Sequence, residues 1–136
     1  METLKTVNEY HSNGKLKGKG ASCKDGYYQG EWKYYDENGK LSVIRSYKDG
    51  RRDGDTKLYD ENGYLFRVTS YRNGEEFEFK GYFKNGKLAE IGYIKDGKIN
   101  GEYKGYYENG NLYWISFVKD GKEGEVKYYD ENGELL

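Results

Sequence analysis

The chain has no proline and a single cysteine, Cys23. One thiol excludes an intrachain disulfide. The lack of proline removes a favoured guard of exposed strand edges and leaves Gly, Lys and Glu to limit edge pairing. Aliphatics are also scarce: Leu, Ile, Val and Phe together number 24 of 136 residues, under roughly a fifth, which with high net charge would read as disorder. Net charge is absent too, because Lys+Arg is 23 and Asp+Glu is 24, a balance of −1. Seventeen Tyr and two Trp supply the missing apolar area, and their rings bury large surfaces while keeping a wet edge. The expectation is a thin sheet without a thick core. A pI near 6.0 with interspersed charges argues against a nucleic-acid binder that works by neutralising phosphates. There is no apolar run of the ~18 residues that a membrane span needs. The start Met1-Glu2-Thr3-Leu4-Lys5 lacks the apolar region of a signal peptide, so a cytoplasmic location is expected.

What the chain does have is an Asn-Gly or Asp-Gly dipeptide every eleven to thirteen residues: Asn13-Gly14, Asp25-Gly26, Asn38-Gly39, Asp49-Gly50, Asn62-Gly63, Asn73-Gly74, Asn85-Gly86, Asp96-Gly97, Asn109-Gly110, Asp120-Gly121 and Asn132-Gly133. Asn, Asp and Gly tolerate the positive φ of type I′ turns, so each dipeptide reads as a two-residue hairpin turn. Alternate turns differ. One kind is Asn-Gly-x-Leu, from Asn13-Leu16 to Asn132-Leu135; the other is Lys/Arg-Asp/Asn-Gly, from Lys24-Gly26 to Lys119-Gly121. The true repeat is therefore 23 to 25 residues and two strands, the signature of an architecture whose units touch only their neighbours. The predicted fold is all-β: an elongated, single-layer antiparallel β-meander of repeated hairpins with about eleven strands. Residues 1–136 are read as one repeat domain of about five repeats with a partial N-terminal unit.

In the strand after each Lys-Asp-Gly turn, acid and Lys alternate with apolar residues, as in Glu31-Trp32-Lys33-Tyr34-Tyr35 and Glu125-Val126-Lys127-Tyr128-Tyr129. Period-2 geometry then puts Trp32, Phe79, Tyr103 and Val126 on one face with Tyr34, Leu58 and Tyr128, and a lattice of acid and Lys on the other. Gly81 and Gly105 read as glycines inserted before the aromatic pair, predicted bulges that shorten the following turn. The other strand leaves two readings open. Leu41, Val43 and Tyr47 share one parity and Ile44, Val68, Ile91 and Ile115 the other, so either both faces are partly covered or a mid-strand irregularity changes the phase.

The segments Gly30-Glu31-Trp32-Lys33-Tyr34-Tyr35-Asp36-Glu37-Asn38-Gly39-Lys40-Leu41, Gly101 to Gly110 and Gly124 to Gly133 resemble the bacterial variant of the MORN repeat, with its Gly-x-Trp-x-x-Tyr-x-x-x-Gly-x-Leu pattern, over about residues 10 to 136. The resemblance implies antiparallel hairpins stacked side by side. It also implies an antitoxin or immunity protein that blocks a cognate toxin, because bacterial proteins made of this variant resemble such partners. The eukaryotic members imply the alternative, a membrane-associated or self-assembling scaffold. The pattern glycine is present as Gly30, Gly54 and Gly101, is displaced to Gly124, and is missing near Phe77-Glu78; Thr56 stands where an aromatic is expected.

No enzyme is expected. The first turn sets His11 near Leu16 and leaves Cys23, the only other residue of nucleophile-base type, on the order of 20 Å away at ~3.3 Å per residue, outside the hydrogen-bond reach of a dyad. Asp36-Glu37-Asn38-Gly39 lacks the ligand spacing of an EF-hand, and Gly18-Lys19-Gly20-Ala21-Ser22 lacks a full phosphate-loop motif. No cofactor or metal is expected. The acid and Lys columns read as a solvated face. The aromatic residues Trp32, Tyr34, Phe79, Tyr103, Tyr106 and Tyr128 are the candidate partner-binding residues, since a single-layer sheet has nothing behind it to cover them. Open edges near Leu4 to Tyr10 and Glu125 to Tyr129 offer strand addition to a partner or to a second copy as a homodimer. The expected partner is a protein, with membrane lipid as the lesser alternative.

Overall fold

The computed structural model describes residues 4–23 and 25–136, and among these every regular element is a strand: β1 (Lys5–Tyr10), β2 (Leu16–Ser22), β3 (Tyr28–Tyr35), β4 (Leu41–Lys48), β5 (Arg51–Arg52), β6 (Gly54–Tyr59), β7 (Leu65–Arg72), β8 (Glu75–Tyr82), β9 (Leu88–Lys95), β10 (Lys98–Ile99), β11 (Gly101–Tyr106), β12 (Leu112–Lys119) and β13 (Lys122–Tyr128). Eleven form one sheet in the order β1-β2-β3-β4-β6-β7-β8-β9-β11-β12-β13, each antiparallel to the next. The two-residue β5 and β10 continue the turns onto β4 and β9. Eleven strands at ~4.8 Å spacing give a sheet about 50 Å across. The leader reading at Met1-Glu2-Thr3 and the first residue of the Lys24 turn lie outside the described residues.

The turns are of two sorts. Asp49, Asn73, Asp96 and Asp120 have φ of 51–53°, each followed by a glycine with positive φ, which is the two-residue I′ turn expected. At the Asn-Gly-x-Leu turns only the glycine has positive φ. Gly39 N donates to Asp36 O (2.9 Å) and Asp36 N to Lys40 O (2.8 Å), so these loops have three residues, a type I turn closed by a left-handed glycine. Gly26 and Tyr27 make the same two bonds to Cys23, which puts that Asp-Gly with the three-residue kind. Side chains explain the difference. Asp36 Oδ1 accepts from Asn38 N and Lys40 N, both at 2.9 Å, and those amides, Lys40 foremost, hold its carboxyl below the usual range. Where Phe83 or Tyr107 stands in place of that Asp, Asn85 and Asn109 cap the turn instead.

Two irregularities recur. Opposite the end of each first strand the register slips by one residue, at Lys17, Ser42, Phe66, Ala89 and Tyr113. This resolves the phase question: the bulge sends Leu41 to the face of Ile44 and leaves Val43 and Tyr47 on the other. It also corrects the reading of Gly81 and Gly105. They are not bulged and nothing is inserted, because the stretches from Phe79 to Asn85 and from Tyr103 to Asn109 are as long as that from Trp32 to Asn38, and Gly81 and Gly105 take the place of Tyr34. The second irregularity is at the pattern glycine. Gly30, Gly54 and Gly101 have φ of 70–105°, and two extra residues enter the ladder around them. Where that glycine is lost or displaced, at Phe77 and Gly124, only one extra residue is accommodated, because these units are one residue shorter: five steps run from Gly74 to Phe79 and from Gly121 to Val126, against six from Gly50 to Thr56.

Burial happens within the layer. Trp32 lies flat over Gly20, Phe79 over Gly92 and Trp114 over Gly105; a Cβ on Gly92 would come 2.5 Å from Phe79 Cζ, and one on Gly20 or Gly105 would fall inside the indole. Trp32 is 0% exposed and Phe79 3%. Gly105 has no positive φ, so the ring alone dictates its lack of a side chain. Gly105→Ala is expected to destabilise by about 1–3 kcal/mol through overpacking in urea unfolding, and to become neutral or stabilising by about 0.4–1 kcal/mol in a Trp114→Ala background, where only the backbone entropy effect remains. Equal destabilisation in both backgrounds would refute this packing.

Candidate interaction face

One face carries a ladder of Lys and aliphatic residues, Lys19-Lys33-Ile44-Lys57-Val68-Lys80-Ile91-Lys104-Ile115-Lys127, each opposite the next. Val68 is buried there between Lys57 and Lys80, where lysine stems cover apolar surface. Lys80 and Lys104 pair with Glu78 and Glu102 on their own strands, worth ~0–1 kcal/mol each at such exposure. Each Leu of the Asn-Gly-x-Leu turns faces a tyrosine on this side, including Leu41 with Tyr35 and Leu112 with Tyr106. Tyr106 therefore belongs to this ladder. Of the six candidate residues it is the one on the lysine face, apart from the other five, because Gly105 occupies the aromatic side of its strand.

The opposite face holds the other five. In its upper row, Trp32 is opposite Arg45, Thr56 opposite Thr69, Thr69 opposite Phe79, Phe79 opposite Gly92, Tyr103 opposite Ser116 and Ser116 opposite Val126. Two aromatic clusters result. Tyr28 stacks on Trp32 at 3.9 Å, with Tyr34 and Tyr47 around them; Tyr103 stands edge-on between Phe79 and Trp114. Trp32 Nε1 donates to Ala21 O. Trp32 and Phe79 thus have almost no surface to offer a partner, and they hold up the half-buried Tyr34, Tyr47 and Tyr103. Tyr128 is 47% exposed on β13, next to Tyr113. His11 and Cys23 lie at opposite ends of β2: His11 Nε2 bonds Tyr35 O, and Cys23 is buried.

Between the clusters lies a feature that the sequence does not announce, a set of arginines stacked on rings. Arg45 lies 4.8 Å over Tyr34, Arg52 5.2 Å over Tyr71 and Arg67 4.6 Å over Phe79. Arg52 also donates to the Tyr71 hydroxyl at 3.0 Å. Their signal is positional: Arg45 stands where the other repeats have Gly20, Thr69, Gly92 and Ser116. Glu9, Tyr34, Val43, Arg45 and Tyr47 line a shallow depression of about 540 Å³. Burial raises the Tyr34 phenol, as does the neighbouring Tyr47. Burial would raise Tyr47 as well, but the Tyr34 hydroxyl and the Arg45 and Arg52 charges outweigh it and lower that phenol.

Tyr103 is pushed up to about 12, first by burial and then by the Glu90 carboxylate to which its hydroxyl donates at 3.0 Å. A phenol raised in the fold adds stability that is fully present below its unfolded value of ~10 and is lost as pH climbs through the folded value. Stability should therefore fall as pH rises from ~10 toward about 12. In ¹³C-tyrosine NMR the Tyr103 phenol should titrate late, as should that of Tyr34, and Tyr103→Phe should remove one late resonance and reduce the slope. Titration of every tyrosine at its ordinary value would count against the assignment.

The profile of the MORN repeat variant family matches residues 28–49, 76–96, 99–119 and 122–136. These are the units with Trp32, Phe79, Tyr103 and Val126 at the same ladder position. No curated protein matches the chain.

Proposed function

Because the chain belongs to the MORN repeat variant family, whose repeats mediate protein–protein or membrane interactions, we propose that it is a non-catalytic interaction module: a cytoplasmic antitoxin or immunity protein that binds and blocks a cognate toxin. The observation that supports this reading is the uncovered face. A single sheet presents half-buried Tyr34, Tyr47 and Tyr103 and the exposed Tyr128 beside charged residues, with no second layer over them among the described residues. Aromatics and arginines on buried supports have the composition of a binding hot spot. Such a protein inhibits by occupying a surface. The outer edge of β1 adds a second means of contact, since its free backbone groups can pair with a strand of the toxin or of another copy.

The test is capture with the intact protein from its source lysate, followed by mass spectrometry and reconstitution. One stoichiometric protein whose toxicity is relieved by the purified chain is the expected result. Recovery of the chain alone, or sedimentation with lipid vesicles without any protein partner, would favour a membrane-associated or self-assembling scaffold instead. Tyr34→Ala with Tyr103→Ala should weaken the complex by about tenfold or more while Tyr106→Ala leaves it intact; the reverse pattern would move the interface to the lysine face.

A further inference from the structure

The interaction face changes character at its centre. At Trp32 over Gly20, Phe79 beside Gly92 and Tyr103 beside Ser116 a large ring on one strand lies next to a small residue on another, but at β4 and β6 the order is inverted. The register that pairs Val43 with Leu58 brings the long Arg45 beside Thr56, which is 6% exposed. Arg45 Nε and Thr56 Oγ1 are the two side-chain atoms buried without a hydrogen-bond partner among the described residues. Burying such groups unpaired is costly, so the fold holds two neighbouring polar groups with unspent bonding capacity.

Arg52 and Arg67 flank this pair on the same face. Among the described residues no carboxylate lies within ion-pair distance of Arg45, Arg52 or Arg67; the two ion pairs present are Glu78–Lys80 and Glu102–Lys104, on the other face. Glu76 stands on this face opposite Tyr71 without an ion pair, and two further acids of the face are already engaged. Glu9 accepts from the Tyr28 hydroxyl and Glu90 from that of Tyr103. The result is a cationic centre bounded on either side by an anion. Each guanidinium lies over a ring, which restrains it and leaves N–H groups for a further partner. That arrangement suits planar, bidentate anions and lowers the ordering cost of binding them.

We infer that the Arg45–Thr56 notch, with Arg52 and Arg67, is a docking site for an acidic segment of a protein partner, whose Asp or Glu carboxylates seat on the stacked guanidiniums. Arg45 and Arg67 are two strands apart, so carboxylates on the order of 10 Å apart reach both. The flanking Glu9 and Glu90 select against a long polyanion such as a nucleic acid, which would run past the arginines onto carboxylates. This inference rests on the interaction reading above and specifies the chemistry of the partner.

A library of random dodecapeptides displayed on phage and selected on the intact protein tests it, whether or not the natural partner has been identified. Enriched peptides should carry an excess of Asp and Glu. As synthetic peptides they should bind about tenfold or more weakly to an Arg45→Gln/Arg67→Gln variant whose circular dichroism matches the parent. Arg45→Lys, which keeps the charge and loses the fork, should fall in between. If the double variant does not fold, Arg52→Gln with Arg67→Gln serves for the same comparison. Peptides without acidic excess, or acidic peptides that bind the variants unchanged, overturn the arginine site while leaving the interaction function standing. Failure to select any binder above bare support also counts against the site. The interaction function falls only if capture recovers no partner either.

Discussion

The structure depends on one packing relation, an aromatic ring lying flat over a glycine of the neighbouring strand. A one-layer sheet has no second layer to bury its side chains, so its rings turn sideways and use the sheet itself as the opposing wall. Trp32 over Gly20, Phe79 over Gly92 and Trp114 over Gly105 are three cases of the same solution. Each removes ring surface from water and needs only the adjacent strand, so it can be repeated along the chain without long-range design. Tyrosine suits this arrangement because its hydroxyl stays at the outer rim, where Tyr28 and Tyr103 meet Glu9 and Glu90.

This relation also explains which glycines could be read from sequence. Turn glycines advertise themselves through their Asn or Asp neighbours, and so the meander, its strand number and its two faces were legible. The glycines that matter for packing carry no local signal. Gly81 and Gly105 look like insertions until the register shows that they fill the position of Tyr34 and lie beneath Glu90 and Trp114. The loss of the pattern glycine at Phe77 was visible, but the smaller bulge there comes from a stretch from Gly74 to Phe79 that is one residue short, which stands out only when the units are aligned on their turns. Tyr106 was misplaced for a related reason. Parity from Tyr103 puts it on the far face, yet its pairing with Leu112 is apparent only once every repeat is aligned on the Leu–Tyr pair. The arginines escaped notice because single charges in a chain with 23 Lys and Arg read as surface until their rings are found.

Scaffold and specificity occupy different positions in the repeat. The Lys–aliphatic ladder is nearly monotonous, and its near-neutral pairing with acids gives register and solubility. The aromatic face departs from uniformity from unit to unit: Trp32, Thr56, Phe79, Tyr103 and Val126 share one ladder position with five different side chains. A repeat that needs only a ring near a small residue tolerates such variation, and that freedom is what lets one unit hold Arg45 where its neighbours hold a small residue.

The two margins of the sheet differ in how they join one hairpin to the next. At the tight-turn margin the main chain itself crosses between units: Gly50 N donates to Tyr28 O, Gly74 N to Arg52 O and Gly121 N to Ile99 O. At the other margin the links include side-chain bonds such as Asn13 to Glu37 O and Asn109 to Glu131 O, with one main-chain bond from Tyr129 N to Tyr113 O. The first margin behaves as a hem, stitched with bonds that do not depend on side-chain identity, and the second as a fringe. A hairpin lifting away must break the hem of the hairpin beside it, which couples the opening of adjacent units. The stitch recurs at Gly50, Gly74 and Gly121 with different residues around it, so it places no demand on the side chains of the units it joins.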